Sequence, residues 1–530
     1  MLAGSLPVRL FGNRTTPLSI RLHAAFAHET TTRSNVNKFT ERSHNCGELT
    51  QEDIGKRVNL FGWIKFTRFD NKILALRDSY GTIQCVADVK KLPQSYRKTV
   101  IHNESVVQIS GLVQARPESQ RNDEMATGSI EVLIDDIKVL NKASKDIPIL
   151  TRESDQDHSH VNRLKFRYLD IRGTKMQTAL RFRSKVCSIL RQKLHELDFV
   201  ECETPTLFRR TPGGANEFIV PTQMPNMFYG LTQSPQQLKQ LLMVGGIDRY
   251  FQICRCYRDE SGRTDRQPEF TQLDIELSFT NQSLVIGMIN QLLYHLLSSS
   301  NETGMLNINL SDIFNADQQI DQIDYKEAFM RYGCDKPDTR FGWLINDLED
   351  RKELSIDVPF IIDNGLITKC LEAIQASKKI NTTLHSVNHE LDTNKTSTRI
   401  FIKSQSDLAR QVLGQLRLLI ASELNSTGHR VYGSEFKFIW VTGFPLFEYN
   451  EETHSLQSNH HPFTAPTDET AHLLETDPKQ VIGKHYDLVL NGQEVAGGSI
   501  RIHDAHLQRY IFKDILKLDD HAFEYFIEAP

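Results

Sequence analysis

The chain has 530 residues, too many for one ordinary domain; at about 100–200 residues per domain it should hold roughly three. Its 39 % hydrophobic and 24 % charged content is that of a globular chain, and a net charge of −5 excludes a chain-wide basic surface but not a local basic face. No stretch approaches the run of about 18 apolar residues that a membrane-spanning helix requires, so no membrane partner is expected.

Residues 1–28 contain no Asp or Glu, while Arg9, Arg14 and Arg21 stand among Leu, Phe, Ile, Ser and Thr. Acid-poor, Arg-spaced and amphipathic is the pattern of an organellar transit segment; a secretory signal would need a compact apolar core. Residues 1–44 are therefore left out of the expected fold. The alternative is a disordered tail.

Residues 45–148 read as five short strands. Val58-Asn-Leu-Phe-Gly-Trp-Ile64, Ile73-Leu-Ala-Leu76, Ile83-Gln-Cys-Val86, Val106-Val-Gln-Ile109 and Ile130-Glu-Val-Leu-Ile134 are separated by turns. This pattern fits a small Greek-key barrel, a fold whose open face often binds single-stranded nucleic acid. From Gln177 the period changes to three and four, with Phe182, Val186, Ile189, Leu190, Leu194 and Leu197 marking an amphipathic helix that ends before Pro205.

Two alternating runs follow, Phe251-Gln-Ile-Cys-Arg-Cys-Tyr-Arg258 and Phe270-Thr-Gln-Leu-Asp-Ile-Glu-Leu277, forming a long-looped hairpin. Gln272, Asp274 and Glu276 share one face and Leu273, Ile275 and Leu277 the other. The polar face is either solvated or the lining of a cleft. Residues 343–432 mix short apolar runs with Ser, Asn and Thr and read as an insertion of no assignable role. Strand patterning resumes at Phe436, and Tyr486-Asp-Leu-Val-Leu-Asn-Gly-Gln-Glu-Val495 carries Asn-Gly, the strongest two-residue hairpin signal. That turn pairs Val489 with Glu494 and Leu490 with Gln493, and puts Asp487 on the face of Glu494, a pair of carboxylates suited to a divalent cation. A plain acidic hairpin surface is the alternative.

The eight cysteines show no paired metal spacing; Cys254-x-Cys256 is the nearest, and it has no second half. They read as reduced, mostly buried thiols rather than zinc ligands. His460 and His461 add hydrogen-bond donors that change with pH.

Leu231-Thr-Gln-Ser-Pro-Gln-Gln-Leu-Lys239, Tyr257-Arg-Asp-Glu260, Asp265-Arg-Gln-Pro-Glu-Phe-Thr-Gln-Leu-Asp274, His460-His-Pro-Phe-Thr-Ala-Pro466 and Gly497-Gly-Ser-Ile-Arg-Ile-His503 together resemble class II aspartyl-tRNA synthetases of the bacterial and mitochondrial type. The resemblance implies an α+β chain: an N-terminal OB-type β-barrel over 45–148, then a class II synthetase antiparallel-sheet catalytic domain in two parts, 149–342 and 433–530, with an inserted α+β segment over 343–432. It implies ATP-dependent activation of L-aspartate and its transfer to tRNA(Asp), in the mitochondrial matrix, by a homodimer. Carried over by position, Arg258, Glu260 and Arg501 are the catalytic residues. ATP would meet Arg258, Glu260, Gln267, Phe270, Glu494 and Arg501, with Mg2+ on Asp487 and Glu494. Aspartate would meet Gln233, Lys239, Asp274, His460, His461 and Arg501, and the anticodon Gln84 and Arg68. Ile73 stands where relatives carry Phe, which weakens the expected base stacking. Relatives continue into a Gly-rich segment and a Gly-x-Asp-Arg helix, motif 3, whereas this sequence stops at Pro530. The chain as written is thus expected to be a poor ligase, and a non-catalytic tRNA-binding or dimer-partner protein is the rival reading.

Overall fold

The computed structural model describes residues 38–88, 101–149, 159–209, 216–260, 267–376, 387–391, 396–451 and 454–518, together with the backbone of 4–5 and 8–9. The last helix of the sequence, around residue 521, and all but two dipeptides of residues 1–28 lie outside the described residues. The chain divides into two compact units, one of Ser19–Ser188 with Leu297–Ile308, the other of Met1–Leu18, Ile189–Leu296 and Asn309–Pro530.

The first unit holds a closed barrel of five strands: β1 (Arg57–Arg68), β2 (Ile73–Arg77), β3 (Thr82–Ala87), β4 (Val106–Ala115) and β5 (Ile130–Asn141), joined in the order β1–β2–β3–β5–β4 and back to β1. The five expected strands are the five observed. In β1 and β4, alternate residues are buried, because successive side chains point to opposite sides of a pleated strand. Leu60, Ile64, Leu74, Leu76, Ile83, Cys85, Val107 and Ile109 fill the barrel at essentially zero exposure. Phe69, Asp70 and Asn71 all take positive φ in the reversal between β1 and β2.

The helical period seen from Gln177 becomes α1 (Thr174–Glu196). The second unit is built on an extended sheet. Its strands are β6 (Val200–Glu201), β7 (Arg249–Tyr257), β8 (Glu269–Leu277), β9 (Gln322–Asp324), β14 (Phe438–Thr442), β15 (His485–Leu490) and β16 (Gln493–Ser499). Spatial order runs β9–β14–β15–β16, then Val8–Arg9, then β8–β7–β6, with Gly4–Ser5 also paired to β8. Residues 1–44 were left out of the expected fold, yet these two dipeptides add backbone pairs, Val8 with Ala496 and Arg9 with Gln272. Helices α2 (Gln236–Val244), α3 (Gln282–Glu302) and α4 (Tyr325–Tyr332) connect the strands.

The segment that patterned weakly has its own core. Strands β10 (Ile345–Leu348), β11 (Glu353–Val358), β12 (Val387–Leu391) and β13 (Thr398–Ile402) form a sheet ordered β10–β11–β13–β12. Helices α5 (Asn364–Ala376) and α6 (Asp407–Ser426) supply Ile367, Ile374, Val412, Leu416 and Ile420 to a cluster with Leu354, Ile356, Ile400 and Ile402. Arg417 of α6, 1 % exposed, donates to the carbonyl oxygens of Trp343 (2.6 Å), Asp338 (2.6 Å) and Phe341 (2.9 Å). A cation buried this deeply needs such acceptors, and here they are main-chain carbonyls of the approach to β10.

Candidate active site

The β7–β8 hairpin forms in the expected register, with Cys254 opposite Gln272 and Gln252 opposite Asp274. Gln272, Asp274 and Glu276 are each at most 1 % exposed, so their shared face is a buried lining and not a solvated surface. Three carboxylate and amide side chains cannot be buried without partners. Lys239, brought in by α2, lies 2.8 Å from Asp274 Oδ1 and 3.3 Å from Glu276 Oε2. Arg501, just past β16, places Nε 3.6 Å from Glu276 Oε1 and donates to Ser499 Oγ (2.6 Å) and Gln236 Oε1 (2.8 Å). Two cations and two carboxylates thus alternate in one enclosed cluster, each charge offset by a neighbour. Gln233 is half-buried in the turn before α2.

At the far end of the hairpin the Arg258 amide donates to the Pro268 carbonyl at 2.9 Å, closing the base of the long loop. The Arg258 guanidinium sits 5.3 Å from the centre of the Phe270 ring, a cation–π approach. Glu260 is half-buried beyond β7 and Gln267 is exposed before β8. Residues 261–266 between them, including Arg263 and Arg266, lie outside the described residues.

The second hairpin confirms its turn: Asn491 and Gly492 take φ of 52° and 80°, and Val489 faces Glu494 while Leu490 faces Gln493. Beyond that the register shifts at a bulge between Leu488 and Val489, which the sequence did not announce, and Asp487 comes to face Gly497. A Cβ on Gly497 would lie 2.7 Å from Asp487 Oδ1 and 3.6 Å from Glu494 Oε1. The two carboxylates therefore converge over a glycine that leaves them room. Between them stands Lys336, whose Nζ is 3.6 Å from each. Burial opposes the Lys336 charge, but Asp487, Glu494 and Asp335 outweigh it and raise its pKa. Burial, reinforced by Glu494, pushes Asp487 up to about 8 against the pull of Lys336.

His460 and His461 belong to a ring stack: His460 lies 5.3 Å from both His461 and His485, and His485 lies 4.5 Å from Phe444. Burial first, then Arg501, Lys336, Arg258 and Lys239, push His460 down to about 3, and burial holds His461 well below its ordinary value. The expectation of pH-dependent donors is overturned. Desolvation among four cations keeps both rings neutral at physiological pH.

On the barrel, one lateral row runs across all five strands. Phe66 faces Ala75, Ala75 faces Gln84, Gln84 donates to Glu131 at 2.8 Å, and Glu131 faces Gln114 and accepts from it at 2.8 Å. Arg68 lies over the Phe66 ring at 5.0 Å. An aromatic ring, Phe66, thus stands on the strand paired with that of Ile73.

Lys336, Gln236 and Ser499 were not singled out from the sequence. Gln236 lies inside the Gln-Ser-Pro-Gln-Gln run already noted, so its position near Lys239 was the available signal. Lys336 carried none beyond lying between Asp335 and Asp338.

The description "tRNA synthetases class II (D, K and N)" matches residues 159–529, and "OB-fold nucleic acid binding domain" matches residues 58–140. The chain is 40 % identical to the mitochondrial aspartate–tRNA ligase of Rattus norvegicus over 93 % of this chain and 80 % of that protein. It is 37 % identical to the aspartate–tRNA ligase of Pseudothermotoga lettingae over 89 % of this chain and 85 % of that one. In fold it is similar to a putative aspartyl-tRNA synthetase of Leishmania major Friedlin, with TM-score 0.62 at 17 % identity, covering 94 % and 88 % of the two chains. It is likewise similar to an asparaginyl-tRNA synthetase of Pyrococcus horikoshii solved with asparaginyl-adenylate, with TM-score 0.57 at 18 % identity, covering 91 % and 89 %. These relatives are ligases, and nothing in them supports the non-catalytic reading. Among the described residues no helix is long and apolar enough to cross a membrane. Barrel, sheet and sequence likeness agree: the chain belongs to the class II aminoacyl-tRNA synthetases, among their aspartate–tRNA ligases.

Proposed function

We propose that the buried charge cluster is the aspartate pocket, and that this ligase activates L-aspartate with ATP and passes it to tRNA(Asp). The observation that carries the reading is Lys239 and Arg501, both 1 % exposed, set against Asp274 and Glu276 in one enclosure. An incoming side-chain carboxylate replaces an internal partner of the two cations, while Asp274 and Gln233 take the α-ammonium. Neutral His460 or His461 donates an N–H to the same carboxylate without adding charge.

ATP lies against Phe270, with Glu260 and Gln267 beside the nucleotide and Arg258 bridging its α-phosphate and the α-carboxylate of aspartate. A carboxylate oxygen forms a bond to the α-phosphorus as the bond to pyrophosphate breaks; a hydroxyl of the tRNA's terminal adenosine then takes the aspartyl group and releases AMP. The step asks for positioning and charge neutralisation, which Arg258 and Arg501 supply. Asp487 and Glu494 offer hard oxygen ligands around a point already taken by an ammonium group, which fits Mg2+. Bound there, Mg2+ neutralises phosphate oxygens. Gln84 and Arg68, on a face shared with Phe66, contact the anticodon. Exposed Val200, Leu207, Phe228 and Tyr229 on short strands support a homodimer, and acid-free residues 1–28 support a place in the mitochondrial matrix.

The test is pyrophosphate exchange with aspartate and with asparagine. A pocket built around two buried cations should favour aspartate by at least about 10²-fold. Equal use of the two amino acids would overturn the assignment.

A further inference from the structure

The floor between the nucleotide and amino-acid ends of the site carries two thiols side by side. Cys254 and Cys256, two apart on β7, point to one face and are 5 % and 0 % exposed. Their sulfurs are 3.7 Å apart, and Cys254 Sγ is 3.1 Å from Asp274 Oδ2 on the neighbouring strand. The sequence showed this pair without a second half; β8 supplies one. Among the described residues these three side chains bring ligand atoms within 4.8 Å of one another.

The spacing matches a specific coordination geometry. A tetrahedral zinc ion with Zn–S bonds of about 2.3 Å holds its two sulfurs about 3.8 Å apart and a carboxylate oxygen about 3.5 Å from each. The sulfur pair already has that separation, the Asp274 oxygen need move only a few tenths of an ångström from Cys254 Sγ, and all three ligand atoms lie within 4.8 Å of one another. A fourth donor is at hand: Gln272 Oε1 lies 3.0 Å from Cys256 Sγ, and Gln272 is fully buried with no hydrogen-bond partner on its amide nitrogen among the described residues. Charge also closes. Two thiolates and one carboxylate around a divalent ion leave one negative charge, and Lys239 is 2.8 Å from the other Asp274 oxygen.

We propose that Cys254, Cys256 and Asp274 form a site for a thiophilic divalent cation of the zinc class, and that an ion bound there excludes aspartate. The exclusion rests on the reading that Asp274 takes the substrate ammonium. Binding replaces two S–H protons, which pass to solvent, and needs no oxidant or reductant. Because both thiols must lose a proton to bind the ion, binding strengthens as pH rises.

The experiment titrates the full chain with Co2+, read by thiolate-to-cobalt charge transfer, and displaces it with Zn2+. Cys254→Ala and Cys256→Ala are tested in parallel after melting curves show that each folds. One equivalent of metal should bind with thiolate absorbance, at least about tenfold more weakly in either variant. Zn2+ should raise the KM for aspartate in pyrophosphate exchange, and less so for Cys254→Ala. Equal metal affinity in the parent and both variants overturns the site. Cysteine-dependent binding with no effect on the aspartate KM overturns the exclusion and removes the ammonium from Asp274.

Discussion

An ammonium group held between two carboxylates is a counterion that a metal must displace. Lys336 is only one-third exposed, and Asp487 is nearly buried beside it, so removing the lysine takes away the cation that pairs with Glu494 and that opposes the upward push on Asp487. Lys336→Met should lower stability without magnesium by about 1–3 kcal/mol, less than for a fully buried pair because the lysine is partly solvated. The variant should recover more of its melting temperature than the parent when magnesium is added. An equal response in both would show that Lys336 and the ion do not share a place. The histidine stack makes a separate claim about pH. With His460 at about 3 and His461 and His485 well below 6.5 in the folded chain, the unfolded chain takes up protons first as pH falls. Stability should therefore be full above about pH 6.5 and decline toward about pH 3. Among the described residues His485 Nδ1 has no hydrogen-bond partner, and its ring stacks on Phe444, so His485→Phe should fold and reduce the slope of stability against pH by about one proton. An unchanged slope between pH 4 and 6 would refute this. Residues that stand in contiguous motifs, such as Lys239, Asp274 and Arg501, were legible as candidates. Lys336 was not, since only the folded chain carries it to the β15–β16 hairpin.

Among the elements, the hairpins read most easily because a two-residue turn and a period of two leave little choice. Asn491-Gly492 fixed the two pairs next to the turn, and there the reading held. The bulge between Leu488 and Val489 depends on packing across the sheet and has no local signature; it is what brings Gly497 under Asp487. Residues 343–432 were hard to read for a different reason. Their helices and strands bury a core among themselves, and the polar stretches between them blur each apolar period. Arg417 ties that core to the chain leading from Lys336. Arg417→Leu would leave three buried carbonyl groups without a donor and cost roughly 3–5 kcal/mol, measured by denaturant midpoint. It should also weaken the stabilisation by magnesium, because the 338–343 segment would no longer be pinned. A variant as stable as the parent would remove Arg417 from this role.

For the whole molecule, the five-strand pattern marked the closed barrel. The order of strands in the large sheet was not legible, since it joins distant segments. Self-association is the property that tests the assembly. Val200 and Leu207 are each nearly half exposed, and Phe228 and Tyr229 lie on the same small three-stranded sheet as Leu207. Val200→Glu combined with Leu207→Glu should shift sedimentation toward the monomer by at least about tenfold in Kd, while leaving the melting of the barrel unchanged. Sedimentation unaffected by both charges would place the interface elsewhere. The barrel is complete within residues 57–141, whereas the sheet pairs Ile323 with Val441 and Val8 with Ala496. Bringing such remote segments together costs loop entropy before any contact repays it. As the polypeptide emerges from a ribosome or threads through a translocon, the barrel can fold early, but the activating site must wait for Gln493–Ser499. The nucleic-acid-reading half therefore matures first, and the half that handles ATP becomes competent only when nearly all of the chain has been delivered.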